Sequence, residues 1–192
     1  SGADHQIAHL WEMDDLMQEG ERVSHGACVA VGCTMTLRLY DWLLTQNLSR
    51  IDIDRLVAAA PTMQDKTETI HAAFGPGEIA ARAIEETRAK HLAPGALRAR
   101  LERLAAAWPD LCARLSRQVL PAAVMRDMLH RAGAPADAAD IGVGRDYLRR
   151  TTLNARFLRS RYTVLDLLDE TGLLDAAVEA ALPAPGAQAR QG

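Results

Sequence analysis

Aromatic residues are scarce: two Phe, three Tyr and three Trp make up 4% of the 192 residues. A core built on stacked rings is therefore excluded, and Leu, Ala, Val and Met must supply the buried volume. Cysteine is equally sparse. Cys28, Cys33 and Cys112 are odd in number and form no CxxC, which argues against a disulfide framework or a zinc ribbon. They read as buried thiols in a reducing compartment, which with the absence of a signal-peptide pattern points to the cytoplasm. No apolar run approaches the ~18 residues of a membrane span, so no membrane partner is expected. Neither sign of charge dominates: 22 Lys and Arg face 25 Asp and Glu, a net charge of -3 that gives no reason to expect nucleic acid. There is no Gly-rich phosphate loop, no βαβ alternation and no internal repeat.

What the chain has in quantity is helical periodicity. At 48% hydrophobic it is long enough for one well-buried domain. Residues 3–18 place Ile7, Leu10, Trp11 and Met17 on one face, until Gln18-Glu19-Gly20-Glu21 breaks the pattern. Ser24 is a suitable N-cap for a helix from His25 to about Asn47. The stretch from Cys28 to Cys33 has the β-branched content of a strand, but it runs on into an amphipathic pattern and is read as helix. Shorter helices fit 52–59, 63–73 and 77–91. The clearest stripe is Leu97, Leu101, Leu104, Trp108, Leu111, Cys112 and Leu115, with a kink or restart expected at Pro109. Helices at 121–132, 144–159, 163–171 and 173–182 follow, the third opened by a capping box from Thr163 to Asp166. The chain reads as all-α: one helical domain over 1–182 and a disordered tail over 183–192 that has nothing apolar to bury.

Three histidines near the start stand out from this pattern. His5 and His9 are four residues apart, so one helix face presents both imidazoles. His25, at the start of the next helix, can close on the same point. Neutral imidazoles on rigid elements suit zinc, nickel or iron, and a catalytic divalent ion takes about three protein ligands and one open position. Asp4 beside His5 is a candidate to orient that ring, and Gly26 would let backbone approach a metal closely. His71, His91 and His130 are scattered and read as solvated or core-edge residues. The run Arg145, Arg149, Arg150, Arg156, Arg159 and Arg161 leaves open a phosphate or dimer role, against ordinary solvation of a helix face.

The blocks from Ser1 to Met13 (SGADHQIAHLWEM) and from His25 to Gly32 (HGACVAVG) resemble the metal-binding stretch of sn-glycerol-1-phosphate dehydrogenases. These group with glycerol dehydrogenases, iron-containing alcohol dehydrogenases and dehydroquinate synthases. Ala89-Lys90-His91, Leu120-Pro121, Ile141-Gly142-Val143 and the segment from Arg159 to Leu168 are similar to the bacterial branch. The resemblance spans most of residues 1–175. It implies that the chain is the C-terminal helical domain of such an enzyme, with His5 and His25 as metal ligands and His9 facing the substrate as the catalytic and substrate-binding residue. It also implies a third ligand, an aspartate, and an N-terminal domain for NAD or NADP, both upstream of Ser1, which then reads as a cut edge. On that reading the isolated chain is inactive. The implied reaction is reduction of dihydroxyacetone phosphate to sn-glycerol 1-phosphate by a homo-oligomeric, divalent-metal enzyme, with zinc favoured over nickel or iron. A related glycerol or alcohol dehydrogenase, a dehydroquinate synthase-like enzyme and a non-catalytic helical binding module remain the alternatives.

Overall fold

The structure, a computed structural model, describes residues 2–183, and within them the fold is all-α with one two-residue hairpin. Its organising contact is between the two helices that carry the histidines. Helix α1 (Ala3–Met13) buries Ile7 and Trp11 completely, and Ala8 and Leu10 beside them. Helix α2 (His25–Leu43) buries Cys28, Val31, Met35, Leu39 and Leu43, a three- and four-residue spacing that continues straight through the strand-like stretch. Ser24 caps it as expected, its Oγ accepting from Ala27 N at 3.3 Å. At Gly32 the helices touch backbone to backbone. A Cβ there would lie 2.5 Å from the Asp4 carbonyl oxygen, so only glycine permits the approach.

Between these helices the structure corrects the expected span of 3–18. Helix α1 stops at Met13; Asp15 turns to φ 49°, and Leu16 N returns to the Trp11 carbonyl at 3.0 Å. The chain then forms an antiparallel hairpin, β1 (Met17–Gln18) with β2 (Glu21–Arg22). Glu19 and Gly20 both have positive φ, 53° and 86°, the geometry of a two-residue primed turn. Met17 keeps the helical period in sequence, yet it is exposed, because the hairpin carries it off the core.

Helices α3 (Ile53–Ala59), α4 (Met63–Phe74) and α5 (Glu78–Lys90) follow, with Thr62 and Asp65 capping α4 reciprocally. Helix α6 (Pro94–Gln118) runs through Pro109 without restarting. Leu97, Leu101 and Trp108 of its stripe are buried, and Trp108 Nε1 donates to the Gln46 carbonyl at 3.0 Å. Next come α7 (Ala122–Arg131), a 3-10 turn (Ala138–Ile141) and α8 (Arg145–Asn154). The expected helix over 144–159 is shorter than its pattern: α8 ends at Asn154 and tightens to a 3-10 turn (Ala155–Phe157). The reason is tertiary. Phe157 leaves the α8 axis to join Ile70, Ala80 and Ala83 in a second small core.

Helices α9 (Val164–Glu170) and α10 (Leu174–Ala181) close the fold, α9 opened by Asp166 Oδ2 accepting from Thr163 N at 2.8 Å. The main core joins α1, α2, α8, α9 and α10, and Trp11 Nε1 reaches Thr151 Oγ1 across it at 3.2 Å. The three cysteines are free thiols, but only Cys28 is buried; Cys33 and Cys112 are half-buried, a correction to the reading of all three as core. Among the described residues no helix is long and apolar enough to cross a membrane. The tail expected over 183–192 lies outside the described residues, apart from Pro183.

Candidate metal centre

Because α1 and α2 meet at Gly32, the first turn of each helix opens on the same surface. His5 and His9 come from α1 and His25 is the first residue of α2. Their ring centroids form a near-equilateral triangle: 5.8 Å from His5 to His25, 6.1 Å from His9 to His25 and 6.4 Å from His5 to His9. His5 and His9 are half-buried and His25 is exposed, so the rings face accessible space.

Each Nδ1 is engaged by a carboxylate. Asp4 Oδ2 holds His5 Nδ1 at 2.7 Å, Glu12 Oε2 holds His9 Nδ1 at 2.8 Å, and Glu12 Oε1 holds His25 Nδ1. An ionised carboxylate only accepts, so each Nδ1 is the donor, and in the neutral ring Nε2 keeps its lone pair. Among the described residues no hydrogen bond uses those Nε2 atoms. A carboxylate behind an imidazole is the arrangement that fixes the tautomer and raises the basicity of a metal-binding histidine. Burial pushes the Glu12 carboxyl up, but its hydrogen bonds to His25 and His9, and the charge those rings can carry, outweigh this and leave it below its ordinary range. The donor set therefore fits zinc, nickel or iron.

Asp4 takes the orienting place expected of it. Glu12 was missed, although its spacing from His9, one helical turn, is visible in the sequence. The hairpin steadies it, since Arg22 Nη2 donates to the Glu12 carbonyl at 3.1 Å. Gly26 has nothing within 4 Å of where a Cβ would stand, so no contact in the described protein requires glycine there.

Other clusters are already committed. Among the described residues, the three potential ligands whose atoms lie within 4.8 Å of one another are His130, Asp137 and Asp140; the nitrogens of the α1–α2 triangle are more widely spread. Asp137 is paired with Arg38, and Asp140 Oδ2 accepts from the Ala136 and Asp137 amides, each at 2.9 Å, so these acids cap the 3-10 turn at 138–141. A concavity of about 890 Å³ is an open groove between the hairpin, the start of α2 and residues 130–141, and none of the three histidines lines it. Most of the basic run is structural: Arg145 and Arg149 pair with Glu179 on α10, Arg156 lies 3.4 Å from Asp169, and Arg150 stacks on Tyr147. Arg159 differs. It lines a cleft of about 410 Å³ that begins at His9. Among the described residues no parallel sheet builds a dinucleotide fold. Compared with known proteins, the chain matches no family model, no curated protein and no solved structure.

Proposed function

We propose that this chain is the helical, metal-holding part of an NAD(P)-linked sn-glycerol-1-phosphate dehydrogenase, in which dihydroxyacetone phosphate is reduced to sn-glycerol 1-phosphate. One observation carries the reading: three imidazoles from two helices face one another, each with Nδ1 held by a carboxylate, which leaves Nε2 of the neutral ring to donate its lone pair. His5 and His25 hold the divalent ion, zinc before nickel or iron, with an aspartate upstream of this chain as the third ligand.

The ion and the nicotinamide, the latter on a preceding nucleotide-binding domain, supply positive charge against the developing negative oxygen and the hydride. The chain's own residues set the stage for that chemistry. Asp4 and Glu12 fix the tautomers of His5 and His25. His9, one turn past His5, faces the substrate hydroxyl and moves its proton, a task for which an imidazole is suited near neutral pH. Glu12 couples the two roles, because the same carboxylate orients one metal ligand and the proton-carrying ring.

Zinc uptake after equilibrium dialysis tests this reading. The wild-type chain retains one ion, His5→Ala and His25→Ala lose it, and Glu12→Gln binds about 10–100-fold more weakly while keeping its helical circular dichroism. Equal zinc retention by all four proteins would overturn the proposal.

A further inference from the structure

The cleft of about 410 Å³ beside His9 has the size of a small-ligand site and a polarised lining. His9 and Met13 of α1 form one end, Ile79 and Arg82 of α5 a wall, and Leu158 and Arg159 the far side. It exists because α8 breaks at Asn154 and the chain turns Arg159 toward α5.

Its arginines are less closely neutralised than Arg98, Arg100 and Arg145. Arg98, Arg100 and Arg145 each meet a carboxylate at 2.5, 2.7 and 2.9 Å. Arg82 comes no nearer than 4.0 Å to Glu86, and among the described residues Arg159 has no carboxylate within that distance; its Nη1 donates to the Leu158 carbonyl at 3.1 Å. Glu86, already accepting from Ser160 N at 2.6 Å, also interacts electrostatically with both guanidiniums. Glu78, exposed on the first turn of α5, and Glu12, tied to two imidazoles, are the opposing charges on the lining.

We propose that this cleft is an anion subsite in which Arg82 and Arg159 hold the phosphate end of a short polyol or ketone phosphate whose other end faces His9. Met13, Ile79 and Leu158 cover its carbon chain. Planar guanidiniums suit phosphate oxygens; Arg159 is half-buried and Arg82 is exposed at the rim. The identity of the ligand rests on the dehydrogenase reading; the subsite itself does not.

Amide NMR titrations of the zinc-equilibrated chain with sn-glycerol 1-phosphate, glycerol and inorganic phosphate test it. The expected result is binding of sn-glycerol 1-phosphate at least about tenfold tighter than glycerol, with shifts at Ile79 and Leu158. Arg82→Gln and Arg159→Gln each remove about tenfold of that preference, Arg159→Lys keeps part of it, Glu78→Gln strengthens it, and glycerol binding stays unchanged. Phosphate alone shifting the same amides equally well would overturn the carbon-chain assignment. Variants that bind sn-glycerol 1-phosphate as the wild type does would overturn the subsite. Zinc separates the two readings. A chain that uses the arginines but takes up no zinc at His5 and His25 refutes the dehydrogenase and leaves the subsite standing. One that takes up zinc but does not discriminate glycerol from its phosphate overturns the subsite alone.

Discussion

Gly32→Ala probes the contact on which the histidine triangle depends. The added Cβ would stand 2.5 Å from the carbonyl oxygen of Asp4, a backbone atom that cannot swing aside. Ordinary contact needs about 3.4 Å or more, so α1 and α2 must part by roughly 0.9 Å. Overpacking of that kind costs about 1–3 kcal/mol, and the helix propensity gained by replacing glycine returns about 0.5–1 kcal/mol. The net loss is about 0–2.5 kcal/mol, centred near 1, and at that centre lowers Tm by roughly 2–4 °C for a domain of this size. Because Asp4 carries the displacement, the His5 ring moves with it, and zinc binding weakens by about tenfold. Differential scanning calorimetry with Gly26→Ala as control isolates the effect. At Gly26 a Cβ meets nothing, so that variant melts at or slightly above the wild type. A Gly32→Ala protein that melts as high as the wild type would refute the close-approach argument.

Three further outcomes follow from other parts of the fold. Trp11→Phe leaves Thr151 Oγ1 buried without its donor and lowers urea-denaturation stability by about 1–3 kcal/mol; a midpoint within error of the wild type contradicts this. Lys90 Nζ lies 2.6 Å from Asp166 Oδ1 with both side chains about nine-tenths covered, so Lys90→Met strands a carboxylate and costs about 3 kcal/mol, part of which Asp166→Asn restores in the double variant. His91 is shifted below its ordinary value by burial, with the Lys66 charge adding to it. The neutral ring is favoured in the fold, so its contribution is complete above the unfolded value of ~6.5 and is lost as pH falls through the folded one. His91→Gln should therefore flatten the fall in Tm between about pH 6.5 and 5, and an unchanged slope would exclude His91 as its source.

The helices were legible where one stripe of apolar residues meets one core. The run from Leu97 to Leu115 survived Pro109 because its period never lost phase, and Ser24 and Thr163 marked helix starts through side-chain chemistry that acts within four residues. Two expected ends failed for the same reason. Met17 and Phe157 both continue a helical period, but the turn at Glu19-Gly20 and the second core around Ile70 pull them elsewhere. Periodicity records which side chains are apolar and is silent about which of two cores receives them.

The site divides in the same way. His5 and His9 share a face by arithmetic alone, since i and i+4 lie one above the other on a helix. Local spacing also contains the Glu12–His9 pair. That His25 closes the triangle, and that one Glu12 carboxylate serves both His9 and His25, required α2 to lie against α1 with no side chain between Gly32 and Asp4. Arg159 is one of six arginines in a basic run, and sequence offers no ground for choosing it. The break after Asn154 aims it at α5 while Arg145 and Arg149 stay on α8 to pair with α10. Helix, cap and the shared face of His5 and His9 were settled by neighbours within a turn or two of chain. Which groups face one another across tens of residues was decided by packing alone.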